Sequence, residues 1–179
     1  MSAAPAPPVA PAAPAASRRR LVESLADGAL RPAPAAADPL RVGVDLVPVA
    51  DVAASVDGLG RRYLYRVFTP HERACARVDA LGGPNLSGYS VESLAARFAA
   101  KEAAVKVLRP VGARPEWRSI EVRRTEGGWC ELRLTGLAAS LAAEAGITTL
   151  AVSVTHEPMM AAACVVGTVG GGSDRSEQG

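Results

Sequence analysis

Two carboxylates and a lysine stand where an ordinary fold would place apolar side chains. Asp45 lies midway along "RVGVDLVPV" (41–49), flanked by Val44 and Leu46. Glu102 lies in "RFAAKEAAVKVL" (97–108), on the shoulder of a stripe formed by Val91, Leu94, Phe98, Val105 and Leu108 at about 100° per residue. Lys106 follows it by one helical turn. Each has an ordinary explanation: Asp45 a hydrogen bond to a neighbouring loop, Glu102 an i,i+4 ion pair with Lys106, worth a few tenths of a kcal/mol. Together they support a second reading. Two carboxylates on different elements are too few for an all-protein metal cage, but they suit Mg²⁺. That ion keeps waters and takes further ligands from substrate phosphates. A nearby lysine would neutralise charge developing on a phosphate, so the set points to phosphoryl-type chemistry rather than proteolysis.

Other chemistries find little support. No Ser-His-Asp pattern or GxSxG is present, the glycines form no P-loop, and "GLG" (58–60) is no dinucleotide fingerprint. His156 ends the run "AVSVTH" and His71 opens a short helix. Either is an ordinary structural or surface histidine on its own evidence. Trp117 and Trp129 flank a hairpin and are expected to pack its face. Cys75, Cys130 and Cys164 are odd in number and widely spaced, which excludes a disulfide framework or a CxxC zinc site. They read as small buried apolar residues in a reducing cytoplasm.

Positioning these groups requires a fold of short strands and one long helix. "RVGVDLVPV" is β-branched and ends at Pro48 as a strand. Residues 50–66 read as one or two helices. Another opens in "FTPHERACARV" (68–78), with Thr69 as cap, Pro70 at the first helical position and Glu72 three residues after the cap. A long helix starts at Ser90 or Ser93 and stops before Arg109-Pro110. "SIEVRR" and "WCELRLT" alternate around Gly127-Gly128 as a hairpin. A helix over 136–146 and two strands, 149–157 and 160–167, complete an α+β fold with a mainly antiparallel sheet packed on the long helix.

The chain has 179 residues, enough for one ordinary domain. Residues 1–40 hold 8 of the 14 prolines and no aromatic residue, so they read as a disordered Pro/Ala arm. The folded unit is expected over 41–167, with a flexible tail over 168–179. Within that unit 15 Lys and Arg face 13 Asp and Glu, so net charge says little. Arg61, Arg62, Arg66, Arg73 and Arg77 nevertheless crowd one stretch and make a local basic surface. Nucleic acid is disfavoured, because stacking aromatics there are few. No apolar run reaches the roughly 20 residues of a membrane span, and prolines interrupt any signal-peptide core.

The pieces "GVDLV" (43–47), "RVFTPHE" (66–72), "AARFAAKEAAVKVL" (95–108), "WRSIEV" (117–122), "ELRLTG" (131–136) and "VSVTHE" (152–157) fall in one register over the folded unit. The series resembles the holo-acyl-carrier-protein synthase family, the short bacterial 4′-phosphopantetheinyl transferases. That resemblance implies transfer of the phosphopantetheine arm of coenzyme A to a serine of an apo acyl carrier protein, releasing 3′,5′-ADP. It implies Asp45 and Glu102 as Mg²⁺ ligands, with Glu102 or a water on the metal taking the serine proton. Lys106 resembles the lysine that steadies the phosphate or leaving group, and His156 the histidine near the coenzyme A nucleotide. Arg97 and Lys101 match the motif, and for both a phosphate contact and a structural ion pair stay open. Arg61, Arg62 and Arg66 lie where the family offers a basic helix to its acidic carrier, and short members assemble as homotrimers.

Three departures stand out. The family usually follows its strand aspartate with an acid and then an arginine, where this chain has Pro48 and Asp51. It follows the long helix with a "GTG" turn, where this chain has "RPVG" (109–112) and Arg109 could reach a phosphate directly. The Pro/Ala arm is foreign to a minimal enzyme. These departures suggest a carrier of a specialised polyketide or fatty-acid pathway. The alternatives are a non-catalytic module that binds a carrier or coenzyme A on the same scaffold, and a metal-dependent hydrolase of the same phosphate bond.

Overall fold

The computed structural model describes residues 39–78 and 88–170. The expected arm up to residue 38, the loop centre at 79–87 and the tail from residue 171 lie outside the described residues. β1 (Leu40–Pro48) begins one residue before the expected boundary at 41, and β5 (Met160–Val169) continues past the expected boundary at 167. Between them run α1 (Val49–Leu59), α2 (Arg61–Val67), α3 (Pro70–Cys75), α4 (Val91–Leu108), a 3₁₀ turn at Trp117–Ser119, β2 (Ile120–Arg124), β3 (Cys130–Leu134), α5 (Gly136–Glu144) and β4 (Ile147–His156).

The strands form two antiparallel sheets rather than one. A three-stranded sheet has the order β1-β5-β4, and β2 and β3 pair separately as a hairpin. α1 and α2 are two helices because Gly60, with φ 53°, breaks the backbone between them. α3 carries the expected capping box: the Thr69 hydroxyl accepts from the Glu72 amide, and the Glu72 carboxylate accepts from the Thr69 amide. It ends at Cys75.

α4 lies across one face of the three-stranded sheet, and the face it presents is not centred on the apolar stripe of the sequence. Leu94, Val105 and Leu108 are buried as expected, but Val91 and Phe98 are only half-buried. Ala95, Ala99, Ala103 and Val107 are fully buried. Alanine lets helix and strand approach closely, and Gly43 on β1 continues that fit from the other side. A Cβ built on Gly43 would overlap the carbonyl oxygen of Ala103, so the position admits no side chain without displacing the helix.

Glu72 and Lys101 form a fully buried ion pair, Nζ to Oε2 at 2.9 Å, tying α3 to α4. Glu72 Oε1 also accepts from the Val122 amide at 2.9 Å. Lys101 Nζ donates to the carbonyls of Trp117, at 2.9 Å, and Ile120. Every proton of that ammonium has a partner, which is the condition under which a buried charge is tolerated.

Along β1 the opposite face is exposed. Alternation along β1 turns Gly43, Asp45 and Val47 toward α4, and turns Leu40, Val42, Val44 and Leu46 outward, 49–62% exposed. Val44 and Leu46 therefore do not bury Asp45, as their place in the sequence suggests. They form an exposed apolar row. Trp129 is also exposed, while Trp117 packs on Phe98 with ring centroids 5.3 Å apart. Cys75, expected buried, is exposed, and its sulfur lies 3.5 Å from His71 Nε2.

Candidate active site

Asp45 and Glu102 line one cleft of about 420 Å³ between β1, α1 and α4, together with Pro48, Asp51, Ser55, Tyr63 and Phe98. The strand supplies one carboxylate and the helix the other, and the close packing at Gly43 and Ala103 sets their approach. Ala103 follows Glu102 directly, and Gly43 lies two residues before Asp45 on the same strand face. Helix and strand are therefore pinned together beside both carboxylates.

Lys106 does not pair with Glu102. Its Nζ reaches across to β1, 2.9 Å from Asp45 Oδ1 and 2.6 Å from the Val44 carbonyl oxygen. The lysine is half exposed on a flexible stem, whereas the Asp45 side chain is only 17% exposed. With Lys106 held by Asp45, Glu102 has no ion-pair partner among the described residues. Partial burial raises the pKa of Glu102 above the usual carboxylate value, and the negative charge of Asp45 raises it further. Arg114 and Lys106 pull it back. A carboxylate poised in this way has an increased proton affinity.

Among the described residues, no group of three or more His, Cys, Asp or Glu side chains is placed to hold a metal. The donor set at the cleft is two hard oxygen ligands, which fits an ion completing its shell with water and substrate oxygens.

The remaining sequence candidates lie around this cleft rather than in it. His156 ends β4, exposed, and its register partner is Ala161, which in turn faces Val47. It therefore stands about 10 Å, two strand spacings, from β1. Arg97 donates through Nη1 to the Ser93 carbonyl at 3.0 Å and to its hydroxyl, while its Nε is buried without a partner among the described residues. Arg109 caps α4 in the left-handed conformation, φ 48°, and is exposed. It takes the position where a helix usually ends on glycine. Lys101 is withdrawn from any ligand contact: fully buried and saturated by Glu72 and two carbonyls, it is the structural ion pair of the two alternatives.

Arg61, Arg62 and Arg66 are all exposed on α2. Arg61 donates to the Tyr65 hydroxyl at 3.1 Å, and the guanidinium of Arg73 stacks 3.9 Å from the Tyr65 ring centre. The Arg61 hydrogen bond lowers the Tyr65 pKa. Arg66 shares a hollow of about 470 Å³ with Arg114 and Arg118.

Two cleft residues, and one charge outside the cleft, escaped the sequence reading. Tyr63 lines the cleft, and burial pushes its pKa up to about 12, so it stays a neutral hydrogen-bonding group. Ser55 faces the cleft from α1, and Arg114 acts electrostatically on Glu102 from the loop after α4. Nothing in the spacing of Ser55 or Tyr63 announces a role. For Arg114, the only signal is its place in the irregular segment that already held Arg109.

The α+β scaffold thus brings two carboxylates to one cleft, with a lysine held against one of them and basic surface on α2. Residues 41–161 match the 4′-phosphopantetheinyl transferase superfamily, and the chain belongs to that family. It is 43% identical over 139 residues to a holo-[acyl-carrier-protein] synthase of Chloroflexus aurantiacus, covering 72% of this chain and 97% of that protein. A holo-[acyl-carrier-protein] synthase of Desulforudis audaxviator is 39% identical over 127 residues, covering 71% and 91%. The solved Chronobacterium ammoniagenes ACPS–CoA complex superposes with a TM-score of 0.61 at 30% identity, over 74% of this chain and 99% of that one.

Proposed function

We propose that this protein transfers the 4′-phosphopantetheine arm of coenzyme A to a serine of an apo acyl carrier protein of fatty-acid or polyketide synthesis. The observation that carries the reading is the meeting of Asp45 and Glu102 in one cleft, in a chain that spans nearly the whole length of its holo-[acyl-carrier-protein] synthase relatives. The serine oxygen attacks the phosphorus that bears the pantetheine. The pyrophosphate P–O bond breaks, and 3′,5′-ADP leaves with the bridging oxygen. Glu102, or a water held beside it, takes the serine proton.

Asp45 and Glu102 are the residues that would hold Mg²⁺. When bound, the ion neutralises charge on the pyrophosphate and the departing phosphate. Lys106, half exposed and anchored only at its tip, can turn from Asp45 to a substrate phosphate. His156, Arg97 and Arg109 are assigned to the coenzyme A nucleotide by the resemblance of their motifs, not by a place in the cleft. Arg61, Arg62 and Arg66 form the basic face for an acidic carrier. Three unpaired cysteines support a reducing, cytoplasmic setting. No helix among the described residues is long and apolar enough to cross a membrane.

Incubation with coenzyme A, Mg²⁺ and several apo carrier proteins should raise the mass of a carrier by one phosphopantetheine arm. Chelation with EDTA should stop the gain, and added Mg²⁺ should restore it. Coenzyme A cleavage with no modified carrier would favour a hydrolase, and no turnover with any carrier would favour a binding module.

The exposed row Leu40, Val42, Val44 and Leu46 supports a homotrimer in which this sheet face is covered by other copies. Light scattering should give about three times the 18.3 kDa chain mass. A monomeric mass at micromolar concentration would overturn the assembly.

A further inference from the structure

α4 is gripped on two sides. Successive residues of a helix project about 100° apart, so Lys101 and Ala103 point to nearly opposite sides of α4, with Glu102 between them. On one side Ala103 meets Gly43 of β1, backbone to backbone. On the other, the buried Lys101 ammonium is bonded to Glu72 of α3 and to the carbonyls of Trp117 and Ile120. Glu72 in turn accepts from the amides of Thr69 and Val122, so α3 and β2 are tied to the same point. Neither charge of this pair lines the cleft of Asp45 and Glu102.

The buried face of α4 gives the helix little else to hold it in rotation. It is rich in alanine, with Ala95, Ala96, Ala99, Ala100, Ala103 and Ala104 all buried. Interlocking ridges of side chains normally fix how a helix is turned on its neighbours, and methyl groups make low ridges. The contact at Gly43 fixes a distance at one point and leaves the helix free to turn about its own axis. Directed bonds on the far side supply what the alanines lack.

We infer that Lys101 is a positioning residue for Glu102: its bonds to Glu72, Trp117 and Ile120 set the rotation of α4, and with it the place of the Glu102 carboxylate relative to Asp45. The effect of a small turn is large. A side chain at the helix rim stands about 5–6 Å from the axis, so a turn of about 10° moves its end by about 1 Å. A misplacement of that size costs up to about a hundredfold in rate. The inference rests on the transferase reading for its effect on turnover, but not for its effect on cation binding. A pair that acted on stability alone would change how much protein is folded, and not how the folded protein binds a cation.

Mn²⁺ reads the two carboxylates without turnover, through loss of the free-ion EPR signal, at a temperature where urea titration shows each protein folded. Glu72→Gln removes the counter-ion but leaves Lys101 its two carbonyls. Lys101→Met/Glu72→Gln removes the tether together with both charges. Glu72→Gln should bind Mn²⁺ within about threefold of wild type, and the double variant about tenfold or more weaker. The double variant should also lose about tenfold or more in kcat, with KM for coenzyme A changed by less than about threefold. A double variant within about threefold of wild type in Mn²⁺ affinity overturns the inference, as does a Glu72→Gln variant as impaired as the double one. If wild type modifies no carrier while Mn²⁺ affinity falls only with the loss of Lys101, the positioning inference stands and the transferase reading falls. If wild type modifies a carrier and Mn²⁺ affinity ignores Lys101, the inference falls and the transferase reading stays.

Discussion

Glu102→Gln is expected to lower phosphopantetheine transfer by at least about a hundredfold while leaving the fold slightly more stable. The activity loss follows from removing a general base, a contribution of about 10²–10⁴, and half of the carboxylate pair that would hold Mg²⁺. The stability gain follows from the pKa. Burial and the charge of Asp45 raise the folded-state pKa of Glu102 above its unfolded value. A carboxyl of this kind contributes stability in its protonated form, below its unfolded pKa, and that contribution is lost as pH rises through the folded pKa. At neutral pH the ionised Glu102 therefore subtracts from stability in the absence of a bound cation. Thermal unfolding in EDTA should show Glu102→Gln above wild type at pH 7, with the difference shrinking as pH falls into the carboxylate range. Near-normal turnover by this variant would sink the assignment of Glu102. A lowered Tm at pH 7 would sink the electrostatic account of the cleft.

The second large effect is on stability. Lys101→Met should cost about 3–5 kcal/mol, because it leaves the Glu72 carboxylate buried without its counter-ion. Two backbone amides, of Thr69 and Val122, still donate to that carboxylate but do not neutralise it. The loss is a large fraction of the 5–15 kcal/mol typical of a domain, so the variant should fold at 25 °C and unfold at much lower urea. Adding Glu72→Gln should recover part of the loss, since the uncompensated charge is then gone. A change below about 1 kcal/mol for Lys101→Met would show that Glu72 finds another partner or a proton.

The sequence carried the local features well and the long-range ones poorly. The capping box of Thr69 and Glu72 and the strand alternation around Gly127-Gly128 depend on neighbours a few residues away, and their spacing shows them. The pairing of Asp45 with Glu102 was visible because charges in apolar runs demand a reason. What Lys106 does was not visible. The i,i+4 rule gives it Glu102, but a strand 61 residues earlier in the chain offers a carboxylate and a carbonyl together. Lys101 was ambiguous for the same reason: its carbonyl partners, 16 and 19 residues on, come from the turn before β2 and its first residue. The apolar stripe of α4 was misplaced because hydrophobicity ranks leucine and phenylalanine above alanine. The sheet selected instead for the smallest side chains, which let the helix come near. The outward turn of Val44 and Leu46 could not be read either, since an alternating strand does not say which of its faces the helix covers.

Gly43 offers one last consequence. Because it has no side chain, the distance between β1 and α4 at this point is set by backbone meeting backbone, the least compressible contact a protein has. The two carboxylates ride on those two backbones, one on each side of the contact. Gly43 thus works as a gauge block: it fixes the width of the site without touching anything that enters it. A larger residue there would act on the chemistry by widening the gap between its two jaws, even if every reacting side chain were kept.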